Sequence, residues 1–200
     1  MTKEQYIKTG SDESYSTPNL VKTIIPFIKD FQKRKGLSNL TIWCPFDLTE
    51  DQVIDGTKYF RSQYVELLEK EGWNVVATHL LTGEDFFETE RDCDLIVSNP
   101  PFKNKAKFFE RVKTFNKPYA LVNTASWFND GGVNNVFDSN LQLVIPNRRA
   151  IFFNDKGCIG DRPSFKSIYY CEGLCEQAIN FVELDIKSDK KWIEENIRGN

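Results

Sequence analysis

The sequence predicts an α/β domain with a doubly wound, mostly parallel sheet. Apolar and β-branched runs alternate along the chain with segments whose apolar residues recur at helical spacing, which is the pattern of βαβ units. Two of these runs, at 94–98 and 119–123, are apolar at most positions, as expected for strands that are buried on both faces. The last third of the chain is denser in strand-like runs, so we expect an antiparallel C-terminal edge of the sheet.

Length and composition indicate one domain. The 200 residues, 40% of them hydrophobic, suffice for a single core but not for a large recognition domain beside it. We expect the polar residues 1–14 to form a mobile N-terminal arm and residues 15–200 to form the domain. No run approaches the ~20 apolar residues of a membrane span, and the polar start lacks the apolar region of a signal peptide. We therefore expect a cytoplasmic protein with no membrane partner.

Charge and cysteine content limit the function classes. The chain has 26 basic and 29 acidic residues, and its net charge of −3 is atypical of a tight, nonspecific nucleic-acid binder. Any nucleic-acid contact must then depend on local patches. The cysteines are scattered, which argues against a disulfide framework, and His79 is the only histidine, so we expect no metal. We expect a monomer or a weak homodimer.

The N-terminal elements are predicted from capping and periodicity. Thr17 is a good N-cap and Pro18 a good first residue for a helix that ends near Gly36, with a kink at Pro26. The remaining elements are predicted from the spacing of apolar residues and are given by their residue numbers. Strands are expected at 40–43, 73–80, 94–98, 119–123, 141–145, 150–153, 165–171 and 181–186, a short strand within 83–88, and helices at 57–71, 105–115 and 190–197. Loops at 126–140 and 157–164 are expected to contact substrate.

The stretch that suggests chemistry is Asn99-Pro100-Pro101-Phe102, directly after a predicted strand. Two prolines cannot donate ladder hydrogen bonds, so they end the strand in a rigid turn where open α/β sheets bind ligands. The side-chain oxygen of Asn99 and the carbonyl of Pro100 are two fixed acceptors for the hydrogens of a planar amine, and Phe102 can stack on its ring. This suits methylation of an exocyclic amino group. The alternative is a simple turn with Phe102 packed in the core.

Other polar residues near predicted strand ends are candidates for cofactor contacts. Asp47 lies in the loop after the first strand, where no glycine-rich sequence occurs, and it is equally well explained as a turn residue. His79 can contact a ribose or be purely structural. Asp85 can accept a hydrogen from an adenine amino group while Phe86 packs on the ring, although this pairing has little specificity.

With these pieces in order, residues 15–172 resemble the amino-group class of S-adenosylmethionine-dependent methyltransferases, and most closely small adenine-N6 methyltransferase-like proteins of phages and prophages. The resemblance depends on Thr17-Pro18, on 42–47 with its ending Cys44-Pro45-Phe46-Asp47, and on Asn99-Pro100-Pro101-Phe102. Segments 82–87 and 163–171 support it. A class I, Rossmann-like methyltransferase fold is implied.

The resemblance also implies a set of site residues. Asn99, Pro100, Pro101 and Phe102 are expected to hold the target amine, and the cofactor S-adenosylmethionine is expected to contact Tyr15, Thr17, Pro18, Cys44, Asp47, His79, Asp85 and Phe86. Trp127, Arg148 and Arg162 are our candidates for substrate binding. The expected substrate is adenine N6 in nucleic acid, DNA before RNA, with the base flipped out of its stack.

Two alternatives stay open. The same chemistry serves a protein glutamine amide or an RNA guanine amino group, because Asn-Pro-Pro-aromatic turns occur with these substrates as well. A non-catalytic, methyltransferase-like protein that binds nucleic acid or another partner is also consistent with the short acidic chain and with the loop Cys44-Pro45-Phe46, which stands where a glycine-rich cofactor loop is usual.

Overall fold

A computed structural model describes residues 14–129, 136–158 and 166–197. Its main feature is a sheet of seven strands, and two small sheets and five helices surround it. The strands of the main sheet are β2 (Thr41–Cys44), β5 (Asn74–Ala77), β6 (Leu95–Ser98), β7 (Tyr119–Thr124), β8 (Gln142–Pro146), β11 (Ser167–Glu172) and β12 (Ile179–Val182). The small sheets contain β1 (Tyr15–Ser16), β9 (Phe152–Asn154) and β10 (Gly157–Cys158), and the hairpin β3 (Gln52–Ile54) with β4 (Thr57–Tyr59).

The main sheet has the strand order β12-β8-β11-β7-β6-β2-β5. The neighbours β5, β2, β6 and β7 pair in parallel, β11 is antiparallel to both β7 and β8, and β12 is parallel to β8. This confirms the predicted mostly parallel, Rossmann-like sheet with antiparallel pairing in its C-terminal part. The reversed strand is third from the edge, since β8 and β12 lie outside it.

Two apolar layers show that the sheet is wound on both faces. The helices are α1 (Pro18–Lys22), α2 (Ile25–Lys35), α3 (Gln63–Lys70), α4 (Lys105–Thr114) and α5 (Ile186–Asn196). Leu95 and Val97 of β6 belong to one core cluster with residues of α1, α2 and α3, whereas Ile96 belongs to another with residues of α4. Alternate residues of one strand therefore supply two cores, which is why the central strands are apolar throughout.

The first helix is divided rather than kinked. Pro26 stands in the first turn of α2, and α1 ends just before it at Thr23, so two helices replace the single one predicted. Gly36, with φ of +65°, ends α2 in the left-handed conformation as expected. Thr17 occupies the N-cap position of α1, but its side chain makes no capping hydrogen bond.

Two predicted elements need correction. The helix expected over 57–71 is confined to 63–70, because β3 and β4 form a hairpin before it with Asp55 and Gly56, both at positive φ, in the turn. The short strand expected within 83–88 is wrong. That region follows a 3-10 helix (Leu80–Thr82) and forms a turn in which the amides of Glu88 and Thr89 donate to the carbonyl of Asp85.

The remaining predicted strands and helices are present with shifts of a few residues at their ends. A further 3-10 helix, Ala125–Asn129, follows β7 within the loop predicted to contact substrate. None of the helices in the described ranges combines the length and apolar character that crossing a bilayer requires.

Candidate active site

A small cavity lies at the carboxyl ends of β2, β5 and β6, the edge at which open α/β sheets bind ligands. Its volume is about 30 Å³. The lining residues are Ser14, Tyr15, Ser16, Phe46, Asp47, Leu48, Ser62, Gln63, Tyr64, His79 and Asn99. The fold therefore brings together four of the predicted site residues, namely Tyr15, Asp47, His79 and Asn99.

Asn99 is held by one end of its amide only. Its Nδ2 donates to the carbonyl oxygen of Ser14 at 2.8 Å, which fixes the side-chain orientation. Its Oδ1 is buried and has no hydrogen-bond partner in the described part of the chain. A buried acceptor without a donor costs free energy. The arrangement thus presents one fixed acceptor for a donor that residues 14–129, 136–158 and 166–197 do not supply.

Asp47 is held on both sides. The Ser62 hydroxyl donates to Oδ1, and the Ser98 hydroxyl donates to Oδ2 at 2.5 Å. The backbone N–H of Asp47 donates to the Thr78 carbonyl at 3.1 Å, which ties the loop after β2 to the end of β5. Burial raises the pKa of Asp47 to about 6, and the two serine hydroxyls oppose part of that rise. The carboxylate is a negative charge inside the sheet edge, stabilised by hydroxyls rather than by a cation.

His79 begins the 3-10 helix that follows β5. Its Nδ1 accepts the backbone N–H of Leu81 at 3.0 Å, and the Thr82 hydroxyl donates to the His79 carbonyl at 2.8 Å. Burial lowers the pKa of His79 to about 4, so the ring is neutral at pH 7. His79 thus has a structural role, because its ring caps the 3-10 helix. The ring also lines the cavity.

The turn after β6 has the expected placement. Pro100 is buried and Pro101 is exposed. Phe102 is half-buried, and its ring lies edge-on to that of Phe152, with 6.1 Å between centroids. This contact matches the alternative in which Phe102 packs against the core. Its predicted stacking on a substrate ring remains a prediction.

Five of the eight predicted cofactor contacts lie outside the cavity lining, and Cys44, Phe86 and Asp85 are three of them. Cys44 is fully buried in the core between the sheet and α2, and burial raises the pKa of its thiol. Phe86 packs in the opposite core, 4.8 Å from the ring of Phe46. Asp85 accepts the backbone N–H of Phe87 at 3.0 Å within its turn. The structure does not bring these three to the residues around Asn99.

The N-terminal candidates have different positions. Tyr15 lines the cavity, and its ring lies 5.4 Å from those of Phe60 and Phe153. The Thr17 hydroxyl is 2.7 Å from Asp189 Oδ2 in α5, and Pro18 is buried at the start of α1. Thr17 and Pro18 thus anchor the segment that carries Tyr15, rather than lining the cavity themselves.

Two of the three substrate candidates, Trp127 and Arg148, follow the carboxyl ends of β7 and β8 at the same edge of the sheet. Trp127 is buried and packs 5.0 Å from the ring of Phe109, so its observed role is in the core. Arg148 is exposed directly after β8. Arg162 lies outside the described residues.

Serine residues are the part of the site that the sequence interpretation missed. Ser62 could have been found, because a serine directly before a helical apolar pattern is a typical N-cap, and its hydroxyl does accept the N–H of Tyr64. Ser98 and Ser14 carry no comparable signal. Their contacts with Asp47 and Asn99 join residues more than fifty positions apart in the sequence.

The residues around the cavity fit part of S-adenosylmethionine. The Asn99 acceptor and the Asp47 carboxylate can receive N–H or O–H donors, which suits an amine and a ribose or ammonium group. The cavity volume of about 30 Å³ is far below the roughly 300–1,000 Å³ of small-molecule pockets. A nucleoside-sized ligand therefore requires a larger space than this cavity provides.

No protein-family profile matches the chain, and no curated protein matches it in sequence. Among solved structures it is similar to TrmN from Thermus thermophilus, at 10% sequence identity and a TM-score of 0.36. The match covers 72% of this chain and 47% of the TrmN chain, so this chain spans less than half the length of that protein. A likeness of this size identifies no function, and the function has to be argued from the residues of the site.

Proposed function

We propose that the protein is an S-adenosylmethionine-dependent methyltransferase that acts on an exocyclic amino group, with adenine N6 in DNA as its first substrate and RNA as the next. The observation that carries the proposal is Oδ1 of Asn99, a buried acceptor to which no group in the described residues donates, at the tip of a central parallel strand. An amino group supplies the missing donor, and the turn at Pro100 and Pro101 keeps the acceptor in place.

The chain's residues orient the amine. Asn99 Oδ1 accepts one amino hydrogen, the carbonyl of Pro100 is the expected acceptor of the second, and the nitrogen lone pair is then directed away from the ring plane. The bond from Asn99 Nδ2 to Ser14 prevents the amide from turning its NH₂ group toward the substrate. The bound cofactor supplies an electrophilic methyl group on a sulfonium. We expect Asp47 and His79, which both line the cavity, to hold its polar atoms.

A nucleic-acid substrate is supported by the charge distribution along the carboxyl edge. Exposed basic residues lie after the ends of β6 and β8 and before the start of β11. β11 is antiparallel to β7, so it begins at this edge. The basic residues are Lys103, Lys107, Arg148, Arg149 and Lys166. Exposed acidic residues follow β2 and β5: Glu50, Asp51, Glu88 and Glu90. Although the net charge is −3, the part of the carboxyl edge formed by β6, β8 and β11 is basic. A basic surface favours phosphate groups over a neutral peptide.

Calorimetry and methyl transfer test the proposal together. S-adenosylmethionine is titrated into the protein, and transfer of labelled methyl is measured on DNA, RNA and glutamine-containing peptides, with methylated products identified by mass spectrometry. We expect one-to-one binding and N6-methyladenine. Asn99→Ala should lower transfer about 10²- to 10³-fold, in the range for removal of a positioned hydrogen-bonding group, with cofactor binding retained. Asn140→Ala, an exposed asparagine at the opposite edge of the sheet, is the matched control.

A non-catalytic, nucleic-acid-binding protein is the second candidate. It is favoured by one observation, that both carboxylate oxygens of Asp47 already accept serine hydroxyls. Absence of cofactor binding at millimolar concentration, together with oligonucleotide binding that Asn99→Ala leaves unchanged, would establish this candidate and exclude methyl transfer. Methylation of peptides but not of oligonucleotides would keep the chemistry and replace the substrate.

A further inference from the structure

Three buried side-chain oxygens lie at the carboxyl edge of three neighbouring strands. They are Asn99 Oδ1 after β6, Thr124 Oγ1 at the end of β7 and Ser167 Oγ at the start of β11, and none has a hydrogen-bond partner within the described ranges. β7 pairs with both β6 and β11, and Ser167 is directly opposite Thr124. The three oxygens therefore form a continuous polar strip across the sheet.

The strip lies on one face of the sheet. Val97, Val122 and Tyr169 all belong to the core cluster beneath α1 and α2. Asn99, Thr124 and Ser167 are each two positions from one of these residues, so strand alternation places them on the same face. Asn123, whose Nδ2 also has no partner in the described chain, has the opposite parity and lies on the other face.

The dimensions of the strip match a planar base. Ser98 is paired with Leu121, so Asn99 is level with Val122 and Thr124 lies two residues farther along the next strand. With roughly 4.8 Å between strands and 3.3 Å per residue, the Cα atoms of Asn99 and Thr124 are about 8 Å apart. Two polar atoms on different edges of one ring, each about 3 Å from its protein partner, span such a distance.

Chance is a poor explanation for this grouping. Buried hydroxyls nearly always have partners, because an unpartnered one loses its hydrogen bonds to water and gains none in the fold. Elsewhere on this face Thr23 follows the rule, since its buried hydroxyl donates to the Leu20 carbonyl at 2.6 Å. Two of the exceptions in the described chain, Thr124 Oγ1 and Ser167 Oγ, are adjacent to one another and lie beside the proposed target-amine acceptor, and Ser16 Oγ is a further exception that lines the cavity.

We propose that Thr124 and Ser167 form the substrate-reading part of the site, in which their hydroxyls donate to ring-nitrogen acceptors of the same base whose amino group Asn99 accepts. The inference rests on the proposed function and deepens it by assigning the ligand class, a heteroaromatic amine with adjacent ring acceptors. Because Thr124 Oγ1 and Ser167 Oγ are buried, the base reaches them only if the protein rearranges on binding, as a minority of complexes do.

Substrate analogues test the inference directly. A DNA oligonucleotide with one target adenine is compared with its 1-deazaadenine and 3-deazaadenine counterparts, each of which replaces one ring nitrogen by C–H on the same side of the amino group. Thr124→Val and Ser167→Ala should each lower kcat/KM on adenine about tenfold, the factor for one lost hydrogen bond. Each analogue should cost the wild-type protein a similar factor and cost the variant that lacks the matching hydroxyl nothing more.

Thermal unfolding gives a second readout that does not depend on activity. Thr124→Val and Ser167→Ala should leave Tm unchanged or raise it by about 2–4 °C. Neither substitution removes a hydrogen bond that the described part of the free protein makes. Thr23→Val is the matched control, since it removes a partnered hydroxyl, and it should lower Tm without changing kcat/KM.

The outcomes separate the two proposals. Methyl transfer with unchanged kcat/KM in both variants overturns the reading role of Thr124 and Ser167 and leaves the proposed function standing. A Tm loss in both variants that equals that of Thr23→Val also overturns the role, because the hydroxyls then have structural partners. No methyl transfer by the wild-type protein on any oligonucleotide overturns the proposed function, and the inference with it.

Discussion

The carboxyl ends of β2 and β6 lie side by side at the same edge of the sheet, yet the polar residues that follow them differ in how their hydrogen bonds are satisfied. After β2, both carboxylate oxygens of Asp47 receive serine hydroxyls. After β6, Asn99 has a bonded Nδ2 and a buried, unpartnered Oδ1 in the described structure. The difference teaches that burial alone does not identify a functional side chain. The unsatisfied Oδ1 of Asn99 is the atom on which the proposed function depends, whereas the satisfied oxygens of Asp47 also hold the edge together.

The distinction between Asp47 and Asn99 is wrong if both residues contribute equally to stability. Asp47→Ala removes the acceptor of two buried hydroxyls and should lower the free energy of unfolding by about 3 kcal/mol, since hydrogen bonds to charged groups contribute about 1.5–3 kcal/mol each. Asn99→Ala loses one contact with Ser14 and removes an unpartnered oxygen, so its cost should be about 1 kcal/mol or less. Urea denaturation measures both, and similar losses would contradict the distinction.

Acid titration sharpens the view of Asp47 as a buried charge. Its pKa of about 6 exceeds the ordinary 3.8, so folding favours its protonated form and its contribution to stability rises as the pH falls from 7 toward 4. The contribution of His79 to stability changes with pH in the opposite direction. Its pKa of about 4 lies below the ordinary 6.5, so its contribution is lost as the pH falls through the same window.

The two effects oppose each other in the wild-type protein, and single variants separate them. His79→Gln should gain stability relative to the wild type on acidification from pH 7 to 4.5, while Asp47→Asn should lose it, each by about 2–3 kcal/mol at 1.36 kcal/mol per pKa unit. Urea denaturation at both pH values is the measurement. Parallel pH curves for all three proteins would show that neither group titrates with the fold.

Asp189 provides the smallest effect and links the comparison to the C-terminal helix. This fully buried carboxylate of α5 accepts the Thr17 hydroxyl at 2.7 Å and the backbone N–H of Asn19 at 2.9 Å, so it caps α1 in place of Thr17. Asp189→Ala should cost about 2 kcal/mol and increase hydrogen exchange in residues 14–22. Asp30→Ala, which removes an exposed pair with Arg34, should cost about 0.5 kcal/mol or less. Unchanged exchange in residues 14–22 would mean that α1 holds without this cap.

The sequence was sufficient for the sheet because its signals are local. Runs that are apolar at successive positions predicted the buried parallel strands, and Pro100 and Pro101 marked the end of β6. The hairpin of β3 and β4 also had a local signal, since Asp55-Gly56 is a typical two-residue turn. It was missed because the aromatic spacing from Tyr59 onward was extended backward as a helix.

The state of the site residues was not predictable in the same way. Thr17 was correctly placed at the start of a helix, but its hydroxyl is used by Asp189, 172 positions away. Phe86 looked like a cofactor contact from its neighbour Asp85 and proved to be core, because burial is set by α4 and β2 rather than by adjacent residues. Which polar atoms keep no partner depends on every element packed around them, and a linear pattern does not contain that information.

The cap that α5 places on α1 has a consequence for protein synthesis. Residues 14–19 are synthesised before the carboxylate that fixes them, because that carboxylate is at position 189. The sheet strands through β7 can pair before that point, whereas the Ser14–Ser16 segment lacks its final support against Asn99 until α5 has been made. In a nascent chain the core around β6 and β7 can therefore form before the wall of the cavity is fixed.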